Sequence, residues 1–117
     1  MAHITIWHNP RCSKSREALK LLEERGERPE IVRYLDETPD AATIKKTLAM
    51  LGIGPRDLLR TKEEEYAQLG LDREDISDEA MIEAMVSHPK LIERPIVIKD
   101  GKAVIGRPPE KVVELLA

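Results

Sequence analysis

Apolar and polar residues follow two different periods along the first third of the chain. Residues 3–7 alternate in the manner of a strand, and the apolar positions within residues 18–22 fall at helical spacing until Gly26 gives a stop. Residues 30–35 predict a second strand, because turn-forming residues bound them on both sides. Strand, helix, strand is a unit with a right-handed crossover by default, so we expect the two strands to be parallel.

The middle of the chain is helical by its pattern. Asp40 can cap a helix that ends at Gly52, and a short helix is expected over residues 55–59. A further helix is expected over residues 77–88, with Ser77 as its cap. We interpret residues 40–90, approximately, as a helical insertion packed beside one end of the sheet. The acidic run at residues 62–65 is more typical of a solvated surface than of a site.

The final third returns to β structure. Two apolar runs, residues 95–98 and 103–106, flank the dipeptide Asp100-Gly101, which is a strong signal for a hairpin of antiparallel strands. A closing helix is expected over residues 112–116, with a proline suited to its first turn.

The order β-α-β, helices, β-β-α predicts an α/β fold of the thioredoxin-like type. We expect one domain over residues 1–117, with a mixed four-stranded sheet, flanking helices and the helical insertion. In that fold a proline opens the third strand and faces the active cysteine, often after a cis peptide bond. Pro95 occupies this position.

Composition narrows the class of protein. The chain has 117 residues, a formal net charge of −3, one cysteine and no phenylalanine, so its core must be aliphatic. The net charge argues against a general nucleic-acid binder. No segment is apolar for long enough to predict a signal peptide or a membrane span. Since one cysteine cannot form an internal disulfide, we expect a protein of the reducing cytoplasm.

The single cysteine, Cys12, is the first candidate for chemistry. It lies at or just before the start of the first predicted helix, where free backbone N–H groups and the helix dipole favour an anion. His8, Arg11, Lys14 and Arg16 surround it in sequence and favour the thiolate by Coulomb attraction. The alternative is that Cys12 is a small residue of the apolar core, as free cysteines usually are.

Three arginines end or begin predicted elements at points where the fold could bring them toward the thiol. Arg60 follows the short helix, Arg94 directly precedes Pro95, and Arg107 directly follows the hairpin. Arginine presents a planar fork of donors that suits tetrahedral oxyanions. Each of the three taken alone could be a solvated or capping side chain, and only their joint position favours an oxyanion site.

The chain resembles the arsenate reductase family that depends on glutathione and glutaredoxin. The matching segments span nearly the whole chain: Ile4-Thr5-Ile6, His8-Asn9-Pro10, Cys12 with Ser15-Arg16, Tyr34-Leu35, Leu58-Leu59-Arg60, Tyr66 with Gln68-Leu69-Gly70-Leu71, His88-Pro89, Leu91-Ile92 with Arg94-Pro95-Ile96-Val97, and Arg107-Pro108. Several segments in the same order and at similar spacing are more specific than one cysteine motif.

The resemblance implies a reduction of arsenate, or a similar oxyanion, to arsenite. It implies that Cys12 is the nucleophile, that His8 helps to keep it ionised, and that the oxyanion site consists of Arg60, Arg94 and Arg107. The thiolate attacks arsenate and displaces a hydroxyl, glutathione attacks the cysteine-bound arsenic, and glutaredoxin supplies the further thiol equivalents. No bound cofactor is implied, since glutathione is a co-substrate. With one cysteine in the chain, an external thiol is required by stoichiometry.

Ser15, Arg16 and Pro95 are expected to support this site. Ser15 stands where thioredoxins carry their second cysteine, and its hydroxyl could donate a hydrogen bond to the thiolate. It could equally be a helix cap without a catalytic effect. A metal site is not expected, because His8 and Cys12 are too few ligands for a closed zinc site, and His3 and His88 are interpreted as structural.

Two other functions remain open. A glutathione-dependent monothiol oxidoreductase would explain the Cys-x-x-Ser pattern of residues 12–15 but leaves three arginines without a role. A thioredoxin-like regulator that binds RNA polymerase would need no turnover, although many such regulators carry a second cysteine that this chain lacks.

Overall fold

A mixed sheet of four strands carries the first part of the structure. In the computed structural model, which describes residues 4–116, the strands are β1 (Ile4–Trp7), β2 (Glu30–Val32), β3 (Ile96–Lys99) and β4 (Lys102–Ile105). Their order across the sheet is β2-β1-β3-β4. β1 and β2 are parallel, as the sequence predicts, and β3 is antiparallel to both β1 and β4.

The hairpin between β3 and β4 forms at the predicted dipeptide. Asp100 and Gly101 both have positive φ, at 51° and 77°, which is the backbone that a two-residue turn of this kind requires. The turn closes the pair Lys99 and Lys102 and sets the register of the rest of the hairpin. The same register determines which residues face each other beyond the ends of the two strands.

One face of the sheet is covered by two helices. The helix α1 (Ser13–Glu24) contributes Ala18 and Leu22 to the core, and a 3₁₀ helix (Pro109–Leu116) contributes Val112. They pack on side chains of β1 and β3, and the fully or nearly buried core consists of Ile4, Ile6, Ala18, Leu22, Val97 and Val112. Aliphatic side chains fill this core, which agrees with the composition.

Two elements differ in extent or type from the prediction. The closing helix is 3₁₀ and begins at Pro109, and the N–H of Lys111 donates to the carbonyl of Pro108 in the i to i+3 pattern. β2 ends at Val32 rather than at residue 35, because the N–H groups of Asp36 and Glu37 donate to the carbonyl of Arg33 and form a turn.

The second part of the chain is helical, as predicted. It contains α2 (Ala41–Leu51), α3 (Pro55–Leu58), α4 (Glu64–Gln68), α5 (Asp78–Ser87) and a 3₁₀ helix (Pro89–Leu91). The side chain of Asp40 accepts from the N–H of Thr43, and that of Ser77 accepts from the N–H of Ala80, so both predicted caps form. The helix α4 begins in the acidic run and extends beyond it, in a segment for which the sequence predicts no element.

The contacts divide the chain into two compact units. The first comprises Met1–Glu37 and Arg94–Ala117 and holds the sheet, and the second, Thr38–Glu93, holds the helices of the predicted insertion. The packing of that insertion beside the sheet stays a prediction, and His3 lies outside the described residues. Among the helices of residues 4–116, none is both long and apolar enough to cross a membrane.

Candidate active site

A short loop between β1 and α1 carries the thiol. The loop is tied to the end of β2, because the N–H of His8 donates to the carbonyl of Val32 over 2.8 Å. Cys12 is the N-cap residue of α1, with extended backbone angles, and its own N–H donates to the carbonyl of Asn9 over 3.0 Å. The Asn9 side chain in turn accepts from the N–H of Arg11. The thiol therefore stands at the start of a helix, as the sequence predicts, and it is only 8% exposed.

Ser15 lies in the first turn of α1 and is fully buried. Its hydroxyl oxygen is 2.6 Å from Nδ1 of His8 and accepts the N–H of Asn9 over 3.0 Å. These two contacts connect α1 to His8 and Asn9 at the start of the loop. Ser15 does not cap the helix, because α1 has no side-chain hydrogen bond at its cap.

His8 is buried together with Ser15, and its charge differs from the one that the sequence predicts. Burial lowers the pKa of His8 below its usual value of 6.5, and the positive charges of Arg33 and Arg16 lower it further. The imidazole is therefore neutral at neutral pH and does not add a positive charge beside the thiol. The expectation that His8 is one of the attracting cations is corrected here, while its part in catalysis stays a prediction.

The hairpin brings Arg94 and Arg107 together. Continuing the register of β3 and β4 toward the open end places Pro95 opposite Gly106 and Arg94 opposite Arg107. Two bonds confirm this continuation, since the N–H of Gly106 donates to the carbonyl of Pro95 and Nε of Arg107 donates to the carbonyl of Arg94, both over 2.8 Å. The guanidinium of Arg107 is thereby held in one orientation.

Arg107 is the cation that contacts the thiol. Its Nη2 lies 3.8 Å from Sγ of Cys12, within the range of a hydrogen bond to sulfur. The contact joins residues 95 positions apart in sequence, so it depends on the tertiary fold. A guanidinium at this distance attracts any anion that approaches the sulfur.

Pro95 is buried, and the peptide bond that precedes it is cis, as is the bond between Arg107 and Pro108. Its neighbour Gly106 has no room for a side chain, because a Cβ would lie 2.8 Å from Cγ of Pro95 and 3.1 Å from a methyl group of Val112. Gly106 thus lets the segment between β4 and Arg107 pass closely over Pro95.

Arg60 lies in the helical unit, just after α3. Its guanidinium is paired with two carboxylates, with Nη1 2.6 Å from Oε1 of Glu63 and Nε 3.6 Å from Oε1 of Glu93. Its backbone N–H donates to the carbonyl of Leu91. The membership of Arg60 in an oxyanion site stays a prediction.

The remaining charged residue of the predicted site is Arg16. Its side chain is exposed and donates from Nη1 to the carbonyl of Pro10 over 3.2 Å, which supports the loop from outside. Its charge also contributes to the lowered pKa of His8. Within residues 4–116 no three His, Cys, Asp or Glu side chains gather in a way that could hold a metal ion.

Comparison with known families gives an extended match. The sequence profile described as the ArsC family matches residues 7–115, which include the loop, both hairpin arginines and Pro95. The chain belongs to the ArsC family.

Relatives in the ArsC family are similar over their full lengths. The chain is 54% identical to the uncharacterized protein YfgD of Escherichia coli K12, over 97% of this chain and 96% of that protein. It is 48% identical to an arsenate reductase of Neisseria meningitidis serogroup B, over 99% of this chain and 100% of that enzyme. The solved arsenate reductase of Vibrio cholerae superposes with a TM-score of 0.94 at 48% identity, covering 96% of each chain.

Two residues near this ArsC-family site were not singled out in the sequence. The sequence predicts Gly106 only as the end of a strand, yet its close approach to Pro95 positions Arg107. The sequence predicts Arg33 inside a strand, yet it follows β2 and acts on His8 by its charge. The parallel pairing of β1 and β2 offers a signal for Arg33, because the residues after the two strands lie at the same edge of the sheet.

Proposed function

We propose that this protein is an arsenate reductase in which Cys12 is the nucleophile and Arg94 and Arg107 belong to the oxyanion site. One observation carries the proposal, namely the 3.8 Å contact between Nη2 of Arg107 and Sγ of Cys12. A nucleophile and an anion-binding donor are thereby adjacent in a family whose relatives include enzymes named arsenate reductase. The part of Arg60 stays a prediction from the resemblance.

His8 is proposed to support the loop of Cys12 through Ser15 rather than to act by charge. The Ser15 oxygen accepts the N–H of Asn9 over 3.0 Å and lies 2.6 Å from Nδ1 of His8. When neutral His8 carries its proton on Nδ1, it donates to this oxygen, so that one buried hydroxyl holds both His8 and Asn9 against α1. His8 is thus a positioning residue for the loop that carries the thiol.

The reaction begins with attack of the Cys12 sulfur on arsenic. An As–S bond forms, one As–O bond breaks, and the oxygen leaves as water after it takes up a proton. A glutathione thiol then attacks the cysteine-bound arsenic and a second water leaves. A glutaredoxin thiol attacks the glutathione sulfur, and the electron pair of the broken S–As bond reduces As(V) to As(III). Water cleaves the remaining Cys12–As bond, so arsenite leaves and Cys12 returns as a thiol.

The external thiols are proposed to be glutathione and glutaredoxin. The two-electron reduction of arsenate turns two thiols into one disulfide, and the chain holds only Cys12, which is returned unchanged. A reducing compartment such as the cytoplasm keeps this thiol free between turnovers.

Arsenite formation by the purified protein, supplied with arsenate and one thiol system at a time, tests this function. We expect turnover with glutathione plus glutaredoxin and little with a thioredoxin system. Turnover with thioredoxin instead would overturn the choice of reductant, and absence of arsenite with every reductant would overturn the activity. A glutathione disulfide on Cys12 formed at full rate without any oxyanion would favour the monothiol oxidoreductase, and a stable complex with RNA polymerase would favour the regulator.

A further inference from the structure

A cavity of about 380 Å³ lies beside the thiol loop in the sheet-bearing unit. Its walls are the loop residues 8–11 on one side and Arg33, Leu35 and Asp36 on the other. This volume falls in the range of small-molecule sites, about 300–1,000 Å³. The cavity is fixed in place because the N–H of His8 donates to the carbonyl of Val32, which joins its two walls.

Three charged side chains line this cavity. Arg11 and Arg33 are positive, Asp36 is negative, and neutral His8 adds no charge. Arg11, Arg33 and Asp36 are all exposed, so their charges are available to a ligand. Two positive charges and one negative charge are complementary to a ligand with two carboxylates and one ammonium group.

We infer that this cavity binds the external thiol, as a small peptide with two carboxylates and one ammonium group. Glutathione has this set of charges. The inference rests on the proposed function, which requires an external thiol because Cys12 is the only cysteine. A simple oxyanion or a polyphosphate fits less well, since Asp36 would repel it.

The position of the cavity also suits a thiol donor. Its loop wall ends at Arg11, the residue before Cys12, and the carbonyl of Asn9 in the same wall accepts the N–H of Cys12. Arg107, which contacts the sulfur, does not line this cavity. The external thiol and the oxyanion thus have separate binding residues.

The test is direct binding of S-methylglutathione, whose blocked sulfur cannot react, measured by calorimetry on the full chain. We expect Arg33→Gln to weaken its binding by about tenfold to a hundredfold, the loss of one charge-assisted hydrogen bond. The matched control is Arg28→Gln, because Arg28 is exposed and lies outside the cavity. Equal affinity of wild type and Arg33→Gln, or no binding to wild type at the millimolar level at which the thiol is used, would overturn the inference.

A second ligand separates a direct contact from an indirect effect of the substitution. The des-amino analogue of S-methylglutathione lacks the ammonium group, so it should bind wild type more weakly than the parent peptide. Asp36→Asn should abolish that difference. If the difference persists in Asp36→Asn, the ammonium group does not bind Asp36 and the assignment of this cavity is wrong.

The binding result can be separated from the proposed activity. Arsenate turnover with glutathione that does not depend on Arg33 would contradict the cavity but not the reductase. Arg33-dependent binding of S-methylglutathione without any arsenate turnover would support the cavity and contradict the reductase.

Discussion

Replacing Arg107 by glutamine should lower the preference of Cys12 for anionic reagents. The side chain's Nη2 lies 3.8 Å from Sγ. A reagent carboxylate that comes to a similar distance from Nη2 gains about 1 kcal/mol in water and about 4 kcal/mol at an effective dielectric constant near 20. Because Arg107 is only half-buried, we expect the lower part of this range, about 1–2 kcal/mol, or a factor of about 5 to 30 in rate.

Two alkylating reagents measure this effect without any assumption about the physiological anion. Iodoacetate is negative and iodoacetamide is neutral, and both alkylate the same sulfur. The ratio of their rate constants therefore reports the positive field at Cys12, while differences in thiol reactivity cancel. We expect Arg107→Gln to reduce this ratio by a factor of about 5 to 30. Arg107→Lys keeps the positive charge and should retain most of the wild-type ratio.

The control for overall charge is Arg28→Gln. It removes one positive charge from an exposed position outside the loop and should leave the ratio unchanged. A ratio that stays the same in Arg107→Gln, in protein that melts at the wild-type temperature, would refute the assignment of Arg107 to the anion site.

Three further predictions concern stability, each measured by urea unfolding. Ser15→Ala leaves one buried and one half-buried polar partner unsatisfied and should cost about 2–3 kcal/mol, whereas exposed Ser13→Ala should cost less than about 0.5 kcal/mol; equal effects would refute the role of the buried hydroxyl. The lowered pKa of His8 means that the unfolded chain binds the proton more tightly than the folded chain does, so the free energy of unfolding should fall as the pH drops below 6.5. This fall should be less steep in His8→Gln. The same dependence on pH in both proteins would contradict this reasoning. Gly106→Ala places a methyl group 2.8 Å from Cγ of Pro95 and should lower the free energy of unfolding by about 1–3 kcal/mol. An unchanged free energy of unfolding would show that the backbone at Gly106 can move away and would contradict its role.

Much of the sheet-bearing unit is encoded locally in the sequence. The dipeptide Asp100-Gly101 fixes a two-residue turn, and counting pairs outward from Lys99 and Lys102 leads to Arg94 opposite Arg107. The pairing of the two arginines is thus available from the sequence once the turn is recognised. The contact of Arg107 with Cys12 is not, because it depends on how the sheet brings two distant segments together.

Other features depend on burial that no local pattern reveals. Ser15 has the sequence position of a cap or of a thiolate donor, and only the path of the loop brings its hydroxyl against His8. The same burial lowers the pKa of His8, whereas the sequence suggests a cation. The closing segment has a helical period, which does not distinguish an α-helix from the 3₁₀ helix that forms.

The central claim is that the sulfur atom of Cys12 attacks arsenate. The most direct measurement is arsenite formed by wild-type protein and by Cys12→Ser, side by side, with arsenate, glutathione and glutaredoxin present. We predict turnover by the wild type and none above the protein-free blank by the variant, because a serine hydroxyl cannot form the As–S bond. Equal arsenite formation by both proteins would contradict the account.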